Sequence, residues 1–137
     1  MGLPAVMSRV LAVDPGEVRI GLAVSDPTRT LARPLKVVRH TSRADDARRI
    51  VEVARLEEVE VIVVGVAYGG EGQAGRGAKR GLRLAEALRQ AGFVRVETWD
   101  ESGSTVEAET LHKPDEMIDA RAAAVILQGY LDAPKTT

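Results

Sequence analysis

Residues 13–26, VDPGEVRIGLAVSD, decide how the chain folds. The β-rich run RVLAVD (residues 9–14) ends on a carboxylate, Asp14. Pro15, Gly16 and Glu17 supply turn chemistry, and a second β-rich run, VRIGLAVS (residues 18–25), starts at once. The two runs read as an antiparallel hairpin. Pro27 ends the second strand because it has no N–H to give a ladder. Asp14 is then either a turn residue or a ligand fixed at the end of a rigid strand, and the rest of the chain must choose.

Working outward, residues 35–40 (LKVVRH) read as a third strand. Ser42 reads as a helix N-cap, with Asp45 three residues on as a capping-box variant. Ala47, Ile50, Val51 and Ala54 follow at helical spacing, to an end near Glu57. Residues 59–66 (VEVIVVGV) are almost continuously apolar, the mark of a central strand covered on both faces. Residues 69–81 read as a glycine-rich loop carrying Arg76, Lys79 and Arg80. Leu82, Ala85 and Leu88 continue as a helix, with Gly92 as its C′ residue. Residues 93–99 make a fifth strand and residues 104–111 a short helix. Pro114 interrupts, Asp115 can cap a last helix over about residues 116–131, and residues 132–137 form a frayed tail. The order β-β-β-α-β-α-β-α predicts one α/β domain over residues 1–137. Its mixed five-stranded sheet joins a three-stranded antiparallel meander to parallel strands, with helices on both faces.

Composition narrows the function. Of 137 residues, 45% are hydrophobic, enough for a core, but only 3% are aromatic, which argues against base-stacking platforms. A net charge of −1 argues against a purely electrostatic nucleic-acid binder, so any such contact must come from local basic patches. Without cysteine there are no disulfides and no thiolate metal sites. No signal-peptide pattern opens the sequence, and no apolar run reaches the ~18 residues of a membrane span. A soluble, cytoplasmic protein is expected.

Three acidic positions stand out. Asp14 closes the first strand, and the pair Asp100-Glu101 closes the fifth. Asp119 lies in the last helix with Ala122, Ala123 and Ile126 at i+3, i+4 and i+7, which puts its carboxylate on or beside the apolar face. Each alone has an ordinary explanation: a turn, a solvated helix entry, a rim residue paired with Arg121 or Lys113. Jointly, two acids at strand ends and one turned inward on a helix can converge. Bunched carboxylates repel unless a cation neutralises them, and an oxygen-only set suits Mg²⁺ or Mn²⁺. Two such ions can activate a water and stabilise the leaving oxygen in phosphodiester cleavage.

The segments LAVDPGEVRIGLAVSD, VIVVGV, WDESGSTVEAE and DARAAAVILQGYLD, in that order over nearly the whole chain, resemble the YqgF/RuvX family. The resemblance implies an RNase H-like fold, related to the RuvC Holliday-junction resolvases. It implies a metal-dependent endonuclease that matures the 5′ end of pre-16S ribosomal RNA in ribosome biogenesis or, alternatively, resolves four-way DNA junctions. By resemblance Asp14 and Asp119 are the first and last catalytic acids and metal ligands. The middle one is Glu101, the preferred reading, or Asp100. Three features depart from the family pattern. Pro15 stands where an aromatic is usual, no arginine follows Glu101, and Ala67-Tyr68-Gly69-Gly70 follows the central strand. These changes bear on phosphate binding and substrate choice and leave the acids intact.

Gly70, Gly72 and Gly75 match GxGxxG, with the acid Glu97 about 20 residues on, as in dinucleotide-binding folds. The first glycine lies past the strand end, and such a fold has no room beside a leading meander. The better reading is a segment that brings Arg76, Lys79, Arg80 and Arg83 to phosphates, with Arg19 and the strip Lys36, Arg39 and His40 as further contacts. Its alternative is a solvated surface loop. His40 and His112 are not at metal-ligand spacing. Trp99 reads as core beneath the acids. Two other functions stay open: a non-catalytic nucleic-acid or protein-binding module, and a fragment of a sugar-kinase or actin-like ATPase, whose phosphate loop also follows a DxG hairpin. A monomer or weak homodimer is expected, because cutting a four-way junction needs two symmetric cuts, whereas trimming an RNA end does not.

Overall fold

The computed structural model describes residues 8–67, 74–101 and 117–134. In chain order it holds β1 (Arg9–Pro15), β2 (Arg19–Ser25), β3 (Ala32–Arg39), α1 (Arg43–Leu56), β4 (Val59–Val66), α2 (Ala74–Gln90), β5 (Val96–Asp100) and α3 (Ile118–Asp132). The five strands form one sheet in the order β3-β2-β1-β4-β5. β1, β2 and β3 pair antiparallel, whereas β4 and β5 run parallel to β1. The expected mixed sheet is present, with β1 at its centre.

Alternation along the strands sorts side chains between two layers. Leu11, Val13, Ile62 and Val64 face α1 and α2, and meet Ile50, Val51, Leu84 and Leu88. Val10, Ala12, Val61 and Val63 face α3, and meet Ala123, Ile126 and Leu127. β4 is buried on both sides, which is why its sequence lacks alternation. Leu11, Leu22, Ile50 and Ile62 are fully buried, each contributing about 1.5–3 kcal/mol of apolar transfer.

Local signals fix several element ends. The Ser42 side chain accepts the Asp45 amide at 3.1 Å and caps α1. The Asp45 carboxylate turns to Arg48 and to the Thr41 hydroxyl, so the reciprocal half of a capping box is not made. Gly92 closes α2 at φ 103°, with its amide on the Arg89 carbonyl and the Phe93 amide on Leu88. Asp26 accepts the Leu31 and Thr30 amides at 2.9 and 2.8 Å in the turn after β2. Those bonds, with one from the Thr28 hydroxyl, hold its carboxyl well below the usual range.

Three boundaries differ from the sequence reading. β3 starts at Ala32 rather than residue 35, and so contains Pro34. As an edge strand it tolerates the missing N–H, and the ladder slips in register between Leu22 and Ala23, beside the proline. β5 starts at Val96 rather than residue 93, because Phe93 is used by the α2 cap and packs on the core. The expected loop over residues 69–81 is helical from Ala74 onward. Gly81 is not a loop signal but a contact. A Cβ there would lie 2.7 Å from the Gly65 carbonyl oxygen and 3.0 Å from Val66 Cγ2, so α2 rests its backbone on the end of β4. The expected helix at residues 104–111, the Asp115 cap and the tail beyond residue 134 lie outside the described residues. Among the described residues no helix is long and apolar enough to cross a membrane.

Two glycines of α2 therefore respond oppositely to alanine. Gly75 has nothing within 4 Å of a built Cβ, and Gly75→Ala gains about 0.5–1 kcal/mol of helix preference. Gly81→Ala forces α2 off β4 and loses about 1–3 kcal/mol. Thermal melts check the signs: Gly75→Ala raises Tm and Gly81→Ala lowers it. Equal shifts would contradict the packing assigned to Gly81.

Candidate active site

Asp14 lies next to last in β1, two residues beyond Ala12, so it shares the face covered by α3. Across the antiparallel ladder its partner is Gly21. A Cβ on Gly21 would fall 1.9 Å from the Asp119 carbonyl oxygen and 2.9 Å from the Ala120 nitrogen. The absent side chain admits the first turn of α3, which carries Asp119. Gly21 thus makes room for a helix.

Glu101 arrives from the opposite edge. Its amide donates to the Val66 carbonyl at 3.1 Å, extending the β4–β5 ladder one residue past β5. Period two then puts Glu101 on the α3 face with Glu97 and Trp99, and Asp100 on the other. Glu101 is 8% exposed, whereas Asp100 is open to solvent. Gly65 provides the space: a Cβ there would lie 3.2 Å from Glu101 Cδ and 2.9 Å from Ile126 Cδ1. Of the two candidates for the middle acid, Glu101 is the one turned toward Asp14 and Asp119. Trp99 is half-buried against α3, edge-on to Tyr130 with ring centroids 5.6 Å apart, rather than fully in the core.

β1, β4 and β5 are parallel, so their C-terminal ends share one edge, the usual ligand edge of such sheets. Burial pushes the Asp14 carboxyl up to about 7, and the charges of Glu101 and Asp119 add to it while Arg80 opposes. Burial and the neighbouring Asp100 raise Glu101 as well. Asp119 is held by Arg19, whose Nε donates to Oδ2 at 2.9 Å. Arg19, expected at a phosphate, thus sits on an acid of the cluster. Arg80, on the second turn of α2, donates to Glu17 at 3.2 Å. Lys79 is exposed beside it. Arg76 falls within the first turn of α2.

Oxygen donors only, mutually repelling and partly buried, fit a hard divalent cation. Among the described residues no three acids or histidines stand as a ready cage. A second charged cluster escaped the sequence reading. Asp46, 2% exposed, takes the Thr41 amide at 3.0 Å, His40 Nδ1, and Arg49 Nη2 at 2.8 Å. Burial raises its carboxyl, but those three bonds outweigh it and hold the group below its usual value. His40 is therefore a structural partner. Asp46 sits one turn into a helix, where an acid looks like ordinary dipole complementarity, so only the His40–Asp46–Arg49 spacing could have signalled burial.

A raised Asp14 makes metal-free stability pH-dependent. The folded form binds a proton more tightly than the unfolded chain, so that contribution is present below about pH 4 and lost as pH rises through about 7. With chelator present, Asp14→Asn should melt above wild type at pH 8, with the gap closing toward pH 4. A gap that is constant with pH would overturn the assigned environment. Gly21→Ala should disturb the same site by displacing Asp119, read as a lower Tm together with weakened divalent-ion binding.

The family model described as "RuvX: Holliday junction resolvase" matches residues 8–133. A protein of Anaeromyxobacter sp. (strain Fw109-5), named "Putative pre-16S rRNA nuclease", is 42% identical over 132 residues, 90% of this chain and 96% of that one. One of the same name from Caldanaerobacter subterraneus subsp. tengcongensis is 33% identical over 138 residues, 94% and 99% of the two chains. In fold the chain is like T. thermophilus RuvC solved in complex with a Holliday junction substrate. The TM-score is 0.54 at 19% identity, covering 90% of this chain and 93% of that one. With a family model spanning residues 8–133 and relatives above 30% identity along its length, the chain belongs to the RuvX family of nucleases.

Proposed function

We propose that the chain is a divalent-metal-dependent endonuclease whose substrate is a structured RNA, the 5′-extended precursor of 16S ribosomal RNA. The observation that carries this reading is the anchoring of three acids at one sheet edge by three separate elements, with Gly21 and Gly65 giving up side chains to admit two of them. A carboxylate cluster that repels itself costs stability, and a fold that keeps it needs a cation there for another reason. The names borne by the relatives supply the RNA, and the family description supplies a second reading, a four-way DNA junction.

Asp14, Glu101 and Asp119 would hold the cation. Bound there, a divalent ion supplies Lewis acidity toward the phosphodiester and lowers the pKa of a water nucleophile. The chain's own residues do the rest. Asp14 and Glu101 ride on paired backbone, which holds their carboxylates to the tolerance such chemistry needs. The Arg19 guanidinium on Asp119 aims that carboxylate, and would stand within reach of an arriving phosphate. Arg80 and Lys79 offer positive charge on the second turn of α2, where a non-bridging phosphate oxygen would be steered. We assign the work to the cytoplasm, to a monomer on an RNA end, and to a weak homodimer on a junction, where two symmetric cuts are required.

Wild type and Asp14→Asn are compared on a 5′-extended 16S precursor and on a four-way junction, each with Mg²⁺ and with Mn²⁺. Wild type should cut the RNA, and Asp14→Asn should lose about two orders of magnitude or more, the scale for removing a charge-stabilising group. Glu101→Gln should lose comparably, and Asp100→Asn much less. Cleavage untouched by Asp14→Asn would overturn the site. Cutting of the junction alone would move the substrate to DNA, and binding of both without cutting would make this a binding module.

A further inference from the structure

The face of the sheet opposite α3 carries a second cationic feature that the acid edge does not use. Between α1 and α2 lies a groove of about 730 Å³. Its floor is small and apolar, Ala44, Ala87 and Ala91, and its walls bear Arg43 and Arg48 on α1 and Arg83 on α2. Arg48 is tied to Asp45. The groove's one acid, Glu86, is tied to Arg89 at 3.6 Å. Arg43 and Arg83 form no ion pair among the described residues. What remains unneutralised in the groove is therefore positive, on both walls.

The groove is joined to the acid edge. A smaller cavity of about 170 Å³ opens beside the hairpin, over Pro15 and Gly16, with Ile20 and Leu84 as apolar floor; of its charged lining, Glu17 is paired with Arg80 and Asp46 with His40 and Arg49, which leaves Arg43 without an acid among the described residues. Arg80 is close enough to Asp14 to act on its charge, and Arg43 lines both the cavity and the groove. Arg43 thus joins the small cavity, whose Pro15 and Gly16 follow Asp14 in the chain, to the groove that holds Arg83. Arginines spaced along an apolar-floored channel are what a single strand needs: phosphates on the walls, bases or sugars against the floor.

We propose that the α1–α2 groove is a nucleic-acid track, occupied by the single-stranded part of the substrate that runs on from the cleavage edge, with Arg43 and Arg83 as its principal phosphate contacts. This rests on the nuclease reading above, and it adds where the uncut strand goes. It also gives a chain of net charge −1 a local surface able to hold a polyanion.

The test measures binding of the 5′-extended RNA by fluorescence anisotropy over a salt series, in EDTA so that nothing is cut. Wild type is compared with Arg43→Gln/Arg83→Gln, and with Arg33→Gln/Arg95→Gln, which removes the same charge from β3 and from the turn before β5. The groove variant should bind more weakly, and its slope of log K against log salt should fall by about 0.7 per lost contact. The control variant should keep the wild-type slope. Thermal melts verify that all three are folded. Equal slopes in the two double variants, with wild-type RNA bound and cut as above, would overturn the track and leave the nuclease standing. Wild type that binds neither this RNA nor a four-way junction would sink the nuclease reading and the track together.

Discussion

The contact on which the catalytic edge depends is the seating of the Asp119 backbone on Gly21. No hydrophobic side chain could do this work. A helix packed on a sheet through ordinary side chains stands about 10 Å from it, too far for a short aspartate on the helix to share a site with one on the strand. Removing one Cβ lets the start of α3 sink onto β2, and the cross-strand partner of that glycine is Asp14 itself. Gly65 performs the same service for Glu101 on the other side of β1, through β4. Active-site geometry here is set by what two positions in the sheet lack.

That geometry has an electrostatic consequence. Asp14 is partly buried and faces two further carboxylates, so its ionised form is disfavoured on both counts. The fold limits the damage without cancelling it. Arg19 takes one oxygen of Asp119, and Arg80 acts on Asp14 from the far side of the hairpin. Contrast the cluster around Asp46, in the first turn of α1. There a nearly inaccessible carboxylate is met by an amide, a histidine and an arginine, and its affinity for protons falls. The same residue type, buried in the same small domain, is satisfied in one place and left under strain in another. Partial satisfaction is the physical signature of a group kept for a ligand rather than for stability.

Much of this was legible in the sequence, for identifiable reasons. β4 announced itself because a strand buried on both faces cannot alternate, and α1 because Ser42 precedes an unbroken 3.6-residue stripe. The three acids were visible as strand and helix termini, and period two would favour Glu101 over Asp100 once β5 had a register. What the sequence hid was mostly close approach. Glycine signals a turn, a breaker or a contact with equal economy, so Gly75, Gly77 and Gly81 read as loop although all three lie in α2. Arg19 was invisible as a partner of Asp119 because the pair spans 100 residues of chain and forms only when α3 folds back over β2.

Charge sorting connects the two faces. A net charge of −1 says little about where the charges are. In the folded chain, Asp14, Glu101 and Asp119 are brought to one short edge, where a cation would convert their repulsion into attraction for phosphate. Arg43 and Arg83, which form no ion pair among the described residues, lie on the α1–α2 side. A uniformly basic surface would bind any polyanion anywhere and hold it away from the edge as often as on it. An acidic edge flanked by a localised basic path instead makes productive placement depend on the metal. Without the cation the edge repels the scissile phosphate even while the path holds the strand, and with it the two attract along one line. In the proposed mechanism, near-neutrality is thus what would let this nuclease couple substrate seating to a divalent ion held at the acid edge.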